Sequence, residues 1–144
     1  MTIALQEAAK ASLLLETPIG CIIVHNNKII GRGHNLRNTK KSVLYHAELI
    51  AISEACKYIN DWRLEDCTIF VTLEPCQMCA GAIVQARIPQ LVYGAKSPKS
   101  GCAHSILAIL NNDKFNHKVD IIAGIQEEAC SKILRDFFRN LRKS

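Results

Sequence analysis

Apolar and polar positions change period every eight to fifteen residues along this chain, which predicts alternating strands and helices. Residues 3–15 have helix-forming composition and stop before Pro18, which cannot continue a helix. Ile19 to Val24 is a short apolar run rich in β-branched residues. His25-Asn26-Asn27-Lys28 is a turn signal and Ile29 to Arg32 follows, so the pair predicts a β-hairpin. Gly31, Gly33 and Asn35 predict an irregular exit into a polar loop reaching about Ser42. From His46 to Tyr58, the positions Ala47, Ile50, Ala51, Ala55 and Tyr58 fit one helical face. Cys67 to Leu73 predicts a strand, Gln77 to Ala86 a helix, and Pro89 to Ala95 another strand before a polar loop through Gly101. Ile106 to Leu110 predicts a short helix and Val119 to Ala123 the last strand. Glu127 to about Leu141 predicts an amphipathic helix with Ile133, Leu134, Phe137, Phe138 and Leu141 toward the core or a partner. Phe137 and Phe138 are adjacent and cannot both face one core, so one of them is expected outside. With no repeat, low-complexity segment or linker, the pattern predicts one α/β domain over residues 1–144.

Composition narrows the class. Apolar residues make up 49% of 144, enough for a core without disulfide staples. No apolar run approaches the ~20 residues of a membrane helix. The start, Met1 to Glu7, lacks the basic-then-apolar layout of a signal peptide, which predicts a cytoplasmic protein without a membrane partner. Seven cysteines are an odd count for a disulfide framework, and metal binding is the better use of the close pair Cys76 and Cys79. Cys21, Cys56, Cys67 and Cys130 lie in apolar stretches and read as buried small hydrophobes. The net charge of +5 is uneven: residues 131–144 carry +4, and residues 17–47 hold Arg32, Arg37, Lys40 and Lys41 with no acid. Two basic clusters fit a polyanionic partner; charge alone fits a solvated face equally well.

The chemistry is carried by His46-Ala47-Glu48 followed by Pro75-Cys76-Gln77-Met78-Cys79. One histidine and two cysteines hold zinc on three sides and leave a fourth open for water, the arrangement of a catalytic site. Cys102 or His104 as a fourth ligand would close it and make the zinc structural. The Pro-Cys turn puts both sulfurs at a helix start, where the partial positive charge favours thiolates. His46 begins the other helix. Two residues along a helix is a turn of roughly 200°, so His46 and Glu48 share a site only if His46 is the first or pre-helical residue. His-x-Glu with Pro-Cys-x-x-Cys is the signature of zinc-dependent nucleobase deaminases, in which the glutamate moves protons between water, the ring nitrogen and the leaving amine. The competing reading is a surface glutamate beside a structural zinc.

At this point the chain resembles the bacterial tRNA adenosine deaminase (TadA) family of the cytidine deaminase-like superfamily over about residues 4–143. The resemblance rests on Pro18-Ile19-Gly20, Gly31 to Asn35, His46-Ala47-Glu48, Val71 to Ala82, Tyr93-Gly94-Ala95, Asn116-His117 and Asp136-Phe137-Phe138-Arg139. It implies a three-layer α/β/α fold with a central five-stranded mixed sheet, a homodimer, zinc, and conversion of adenosine to inosine at the first anticodon position of tRNA. It further implies that Asn35 contacts the flipped nucleoside and that the Ala47 backbone lies near the attacked carbon. The 96–101 loop with Lys96 and Lys99, and the last helix with Phe138, Arg139 and Arg142, would hold the anticodon loop. Asn35 also reads as a turn residue, and the basic residues as plain solvated charges.

Three stretches depart from the family pattern. Ser42-Val43-Leu44-Tyr45 precedes the zinc histidine, Ser97 stands where an aspartate is common, and Leu13-Leu14-Leu15 replaces a more polar turn. Two other functions compete: a free-base or nucleoside deaminase acting on guanine or cytosine, and a zinc-stabilised RNA-binding module without catalysis. The basic ending argues against the first and Glu48 against the second.

Overall fold

The computed structural model describes residues 1–143; Ser144, the last residue of the expected domain, lies outside the described residues. In chain order the elements are α1 (Thr2–Leu13), β1 (Gly20–His25), β2 (Lys28–His34), α2 (Arg37–Lys40), α3 (Ala47–Ile59), β3 (Cys67–Leu73), α4 (Gln77–Gln85), β4 (Gln90–Ala95), β5 (Asp120–Ala123) and α5 (Glu127–Lys143). The strands form one sheet in the order β2-β1-β3-β4-β5. β1 is antiparallel to β2 and β3, and β3, β4 and β5 are parallel. The connections dictate this. Asn26 and Asn27 both adopt positive φ and close a two-residue hairpin, whereas α4 carries the chain across from β3 to its parallel neighbour. α1 and α5 pack together on the sheet, and α3 and α4 pack together, giving three layers.

The central strands are buried on both faces, with Cys21, Ile23, Ile69, Val71, Leu91 and Tyr93 shielded on one and Ile22, Thr72 and Val92 on the other. Where α3 crosses β2 it presents the small residues Ala47, Ala51 and Ala55, and β2 answers with glycines. A Cβ at Gly33 would stand 2.2 Å from the Ala47 carbonyl oxygen, and one at Gly31 2.3 Å from that of Ala51. This close approach fixes where α3 begins, and so fixes His46.

Most expected elements appear within two residues of their predicted ends; the differences have physical causes. β2 runs on to His34 because Gly33 and His34 still pair with Cys21 and Gly20. The polar loop to Ser42 contains α2, whose amides at Asn38 and Thr39 donate to the buried Glu16 carboxylate, a cap supplied from more than twenty residues away. Tyr58 is exposed and Ile59 packs instead. Cys56 is only half-buried. The helix expected at Ile106–Leu110 is absent: residues 102–105 form a turn whose amides serve a carboxylate, and Ile106 and Leu107 are exposed. Phe137 is half-buried and Phe138 exposed, the division that adjacency demands. Among the described residues no helix is long and apolar enough to cross a membrane.

Candidate active site

Open α/β sheets gather ligands beyond the carboxyl ends of their parallel strands, and the site forms there. β3 ends at Leu73 and hands on Glu74, Pro75 and Cys76. Cys76 is the N-cap of α4 and His46 the N-cap of α3, both with extended backbone, and neither side chain caps its own helix. Both turn instead toward a common point. The His46 Nδ1 lies 3.7 Å from the Cys76 Sγ and 3.5 Å from the Cys79 Sγ. Because His46 precedes the helix, the angular separation that helical geometry would impose between it and Glu48 does not apply.

These three residues are the one His/Cys/Asp/Glu group among the described residues that could hold a metal ion, with ligand atoms within 4.8 Å of one another. Tetrahedral zinc, bonded at about 2.0 Å to nitrogen and about 2.3 Å to sulfur, sets N···S separations of roughly 3.6 Å, so the triangle has the right size. Its protonation also suits a cation. The hydrogen bond from Cys79, helped by His46, pulls the Cys76 thiol down to about 4. Cys79 is pushed far up by that neighbouring thiolate, by burial and by Glu48. The favoured Cys76 thiolate beside His46 suits a divalent ion, which binds thiolate sulfur and neutral imidazole. The fourth side stays open: Cys102 donates to the Ser100 carbonyl at 3.6 Å, and the His104 Nδ1 pairs with the Tyr93 hydroxyl at 2.9 Å.

Glu48 lies in the first turn of α3 and is 4% exposed. Burial pushes its carboxyl up to about 7, and the Cys76 thiolate pushes the same way. A cavity of about 170 Å³ is lined by His46, Ala47, Glu48, Cys76 and Asn35, which brings all but Cys79 of the expected metal, catalytic and nucleoside residues to one wall. Asn35 does two things there. Its Oδ1 accepts the Arg37 amide at 3.1 Å and its Nδ2 donates to the Thr17 carbonyl at 3.3 Å, so it is a turn residue and a wall residue at once.

The expected RNA contacts lie outside this cavity. Lys96 and Lys99 are exposed on the segment whose Ser100 reaches the cavity. Phe138, Arg139 and Arg142 are exposed on α5, with Arg139 leaning on Asp136 at 3.4 Å. Tyr45 borders a separate surface groove with Leu49 and Ile50, so its bulk does not fill the cavity.

One residue of the site escaped the sequence reading. Glu74, 2% exposed, lines the cavity and accepts amides from Ser97, Ala103, His104 and Ser105 at 2.8–3.1 Å, and also the Ser105 hydroxyl. Burial pushes its carboxyl up, but these donors outweigh burial and hold it at about 2. The available signal was a carboxylate at a strand end ahead of a Ser- and Gly-containing loop.

Comparison with known proteins agrees with this geometry. The MafB19-like deaminase family model matches residues 1–142. The tRNA-specific adenosine deaminase of Bacillus subtilis (strain 168) is 48% identical over 140 residues, covering 97% of this chain and 87% of that one. A structure from studies of A-to-I editing by tRNA:A34 deaminases at the wobble position of transfer RNA matches with a TM-score of 0.89 and 38% identity, covering 93% of this chain and 97% of the other. A guanine deaminase from Bacillus subtilis matches with a TM-score of 0.64 and 35% identity, over 66% of this chain and 61% of that one. Sharing nearly its full length with proteins of one kind, this chain belongs to the tRNA-specific adenosine deaminase family, within the MafB19-like deaminases.

Proposed function

We propose that this chain converts adenosine to inosine at the wobble position of the tRNA anticodon loop by hydrolytic deamination, with zinc held by His46, Cys76 and Cys79. The observation that carries this reading is a buried carboxyl, Glu48, opening into the same cavity as a His-Cys-Cys triangle with one free side. The 48% identical tRNA-specific relative supports the substrate.

Zinc held by these three residues would supply the Lewis acidity that lowers the pKa of a water. Glu48 takes one proton from the attacking water and passes it to the purine N1 as the water oxygen bonds to C6. The oxygen's second proton reaches the departing amine through the same carboxylate, so ammonia leaves and inosine keeps a carbonyl at C6. The thiolates of Cys76 and Cys79 balance the charge of the cation. Asn35 and the Ala47 backbone hold the flipped nucleoside. Lys96, Lys99, Phe138, Arg139 and Arg142 hold the anticodon loop, whose unstacked bases suit aromatic and guanidinium contacts. The chain acts as one domain, pairs as a homodimer, and meets its tRNA in the cytoplasm.

The likeness to a guanine deaminase supports a second reading, action on a free base. Both are tested by inosine formation in an anticodon stem-loop, read by mass spectrometry, with Glu48→Ala as control. Inosine from the wild type and none from the variant is the expected result. Intact adenosine together with turnover of guanine would move the assignment to the second reading. Equal RNA binding by both proteins without any turnover would leave only a zinc-stabilised binding module.

A further inference from the structure

We propose that Glu74 is the positioning residue that sets the 96–105 segment against the cavity, so that Ser100, Lys96 and Lys99 meet the RNA next to the reacting base. The proposal rests on the tRNA reading given above. Four backbone amides and one hydroxyl converge on a single carboxylate, and three of those amides are consecutive, Ala103, His104 and Ser105, all on Oε2. Oε1 takes the Ser97 amide and the Ser105 hydroxyl, so one side chain grips the segment at both ends. The chain between has the form this grip requires. At Gly101 a Cβ would lie 2.3 to 2.6 Å from the Glu74 carboxyl atoms, so any larger residue pushes the loop off its anchor. Two further bonds tie the same neighbourhood to the metal triangle. The Cys102 amide donates to the Pro75 carbonyl at 2.8 Å, and the Glu74 amide to the Ala95 carbonyl at 2.8 Å. Pro75 immediately precedes Cys76, so the loop and the metal ligand share one rigid stretch of backbone.

The consequence is specific. Ser100 lines the cavity, while Lys96 and Lys99 are exposed and, among the described residues, face no carboxylate partner. Glu74 itself spends its acceptor capacity on the loop and keeps none for RNA. It therefore acts through the loop and is not a catalytic residue.

The test compares wild type, Glu74→Gln and Gly101→Ala, all zinc-loaded, by amide hydrogen exchange without RNA and by stem-loop affinity across salt concentrations. A glutamine presents an amide nitrogen where donors converge, and Gly101→Ala moves the loop while leaving the carboxylate in place. In Glu74→Gln the amides of Ser97 and residues 103–105 should exchange at least ~10-fold faster, the fate of donors that lose a charged acceptor. In both variants affinity should fall roughly 10-fold or more. The slope of log affinity against log salt should become shallower by up to about 1.4, the share of two lysine–phosphate contacts on a single strand. Ser105→Ala, which deletes only the hydroxyl donor, should show the same changes in smaller degree and covers the case in which Glu74→Gln does not fold. Unchanged exchange at those four amides would overturn the clamp. Faster exchange with wild-type affinity and slope would overturn its role in RNA presentation. Wild-type protein that binds the stem-loop without salt dependence would sink the tRNA reading itself, and the exchange comparison would still decide the clamp.

Discussion

Glu48 and Glu74 are both buried glutamates on the wall of one cavity, and their surroundings push them in opposite directions. Glu74 meets four amides and a hydroxyl and is held at about 2. Glu48 sits at the start of a helix beside thiolate sulfur and is held at about 7. Burial is common to both, so the difference lies in the donors. A carboxylate saturated by donors is a fixed anion that organises backbone. One left beside a metal triangle with few donors takes up and gives back a proton near neutral pH. The same residue type is thus a fixed charge in one place and a carboxyl able to exchange a proton in the other.

Activity breaks the comparison most sharply. Glu48→Gln keeps the shape and removes the proton carrier, so kcat on the stem-loop should drop by roughly 10²–10⁴-fold while zinc content stays at one ion per chain. Turnover within a few-fold of wild type, at equal zinc, would put the proton on another group.

Stability should rank the glutamates in the reverse order. Glu74→Gln should lower the unfolding free energy by on the order of 3 kcal/mol, the equivalent of the displacement of its carboxyl from 4.5 to about 2. Glu16, buried with two amide donors at Asn38 and Thr39, should cost about 1–2 kcal/mol on the same change. Glu48→Gln should leave stability within about 0.5 kcal/mol of wild type or raise it, because a buried carboxyl short of donors is maintained for function. Urea midpoints of the three zinc-loaded variants give the ranking directly. A Glu48 variant as damaged as the Glu74 variant would mean the donor count does not separate the two roles.

Acid sharpens the same contrast. The Glu74 carboxyl is depressed in the fold, so its contribution is complete above about 4.5 and is lost as pH falls toward about 2. Wild type and Glu74→Gln should therefore differ most near neutral pH and converge through that window. A constant gap between them in pH-dependent unfolding would show that lost packing, not the charge, carries the effect.

These two glutamates were not equally legible in the sequence. Glu48 announces itself through short spacing, two residues from His46, and the Pro-Cys-x-x-Cys motif names its partners. Glu74 sits in the same quoted stretch, yet its donors come from residues 97 to 105, and nothing local shows that the chain returns there. A related cause accounts for the absent helix at 106–110: the turn at 102–105 is held on Glu74, and the Ile106 and Ile109 amides reach back to the Gly101 and Cys102 carbonyls of that turn instead of starting a helical ladder. It also explains α2, a one-turn helix capped by Glu16 from a distant part of the chain. Strands and long helices, whose hydrogen bonds are repetitive and whose burial is periodic, were read within two residues at most ends. Loops organised by a single distant carboxylate were not.

The smallest expected effect lies beside Glu16 and asks what its placement costs. α1 ends in a Schellman motif: the Leu15 amide donates to the Ser12 carbonyl and the Glu16 amide to the Ala11 carbonyl, both at 3.0 Å. The residue at the turn, Leu15, has φ of 59°, the left-handed region in which glycine is favoured and a branched side chain is strained. Its side chain is 74% exposed, so little apolar contact offsets that strain. Leu15→Gly should therefore raise stability by about 0.5–1 kcal/mol, with Glu16 still under α2 and stem-loop turnover unchanged. A higher urea midpoint with unchanged turnover would show that the left-handed turn alone delivers Glu16 to its donors. A lower midpoint would mean that the Leu15 side chain, which borders a groove with Phe137 and Ile133, contributes more by packing than the turn loses to strain.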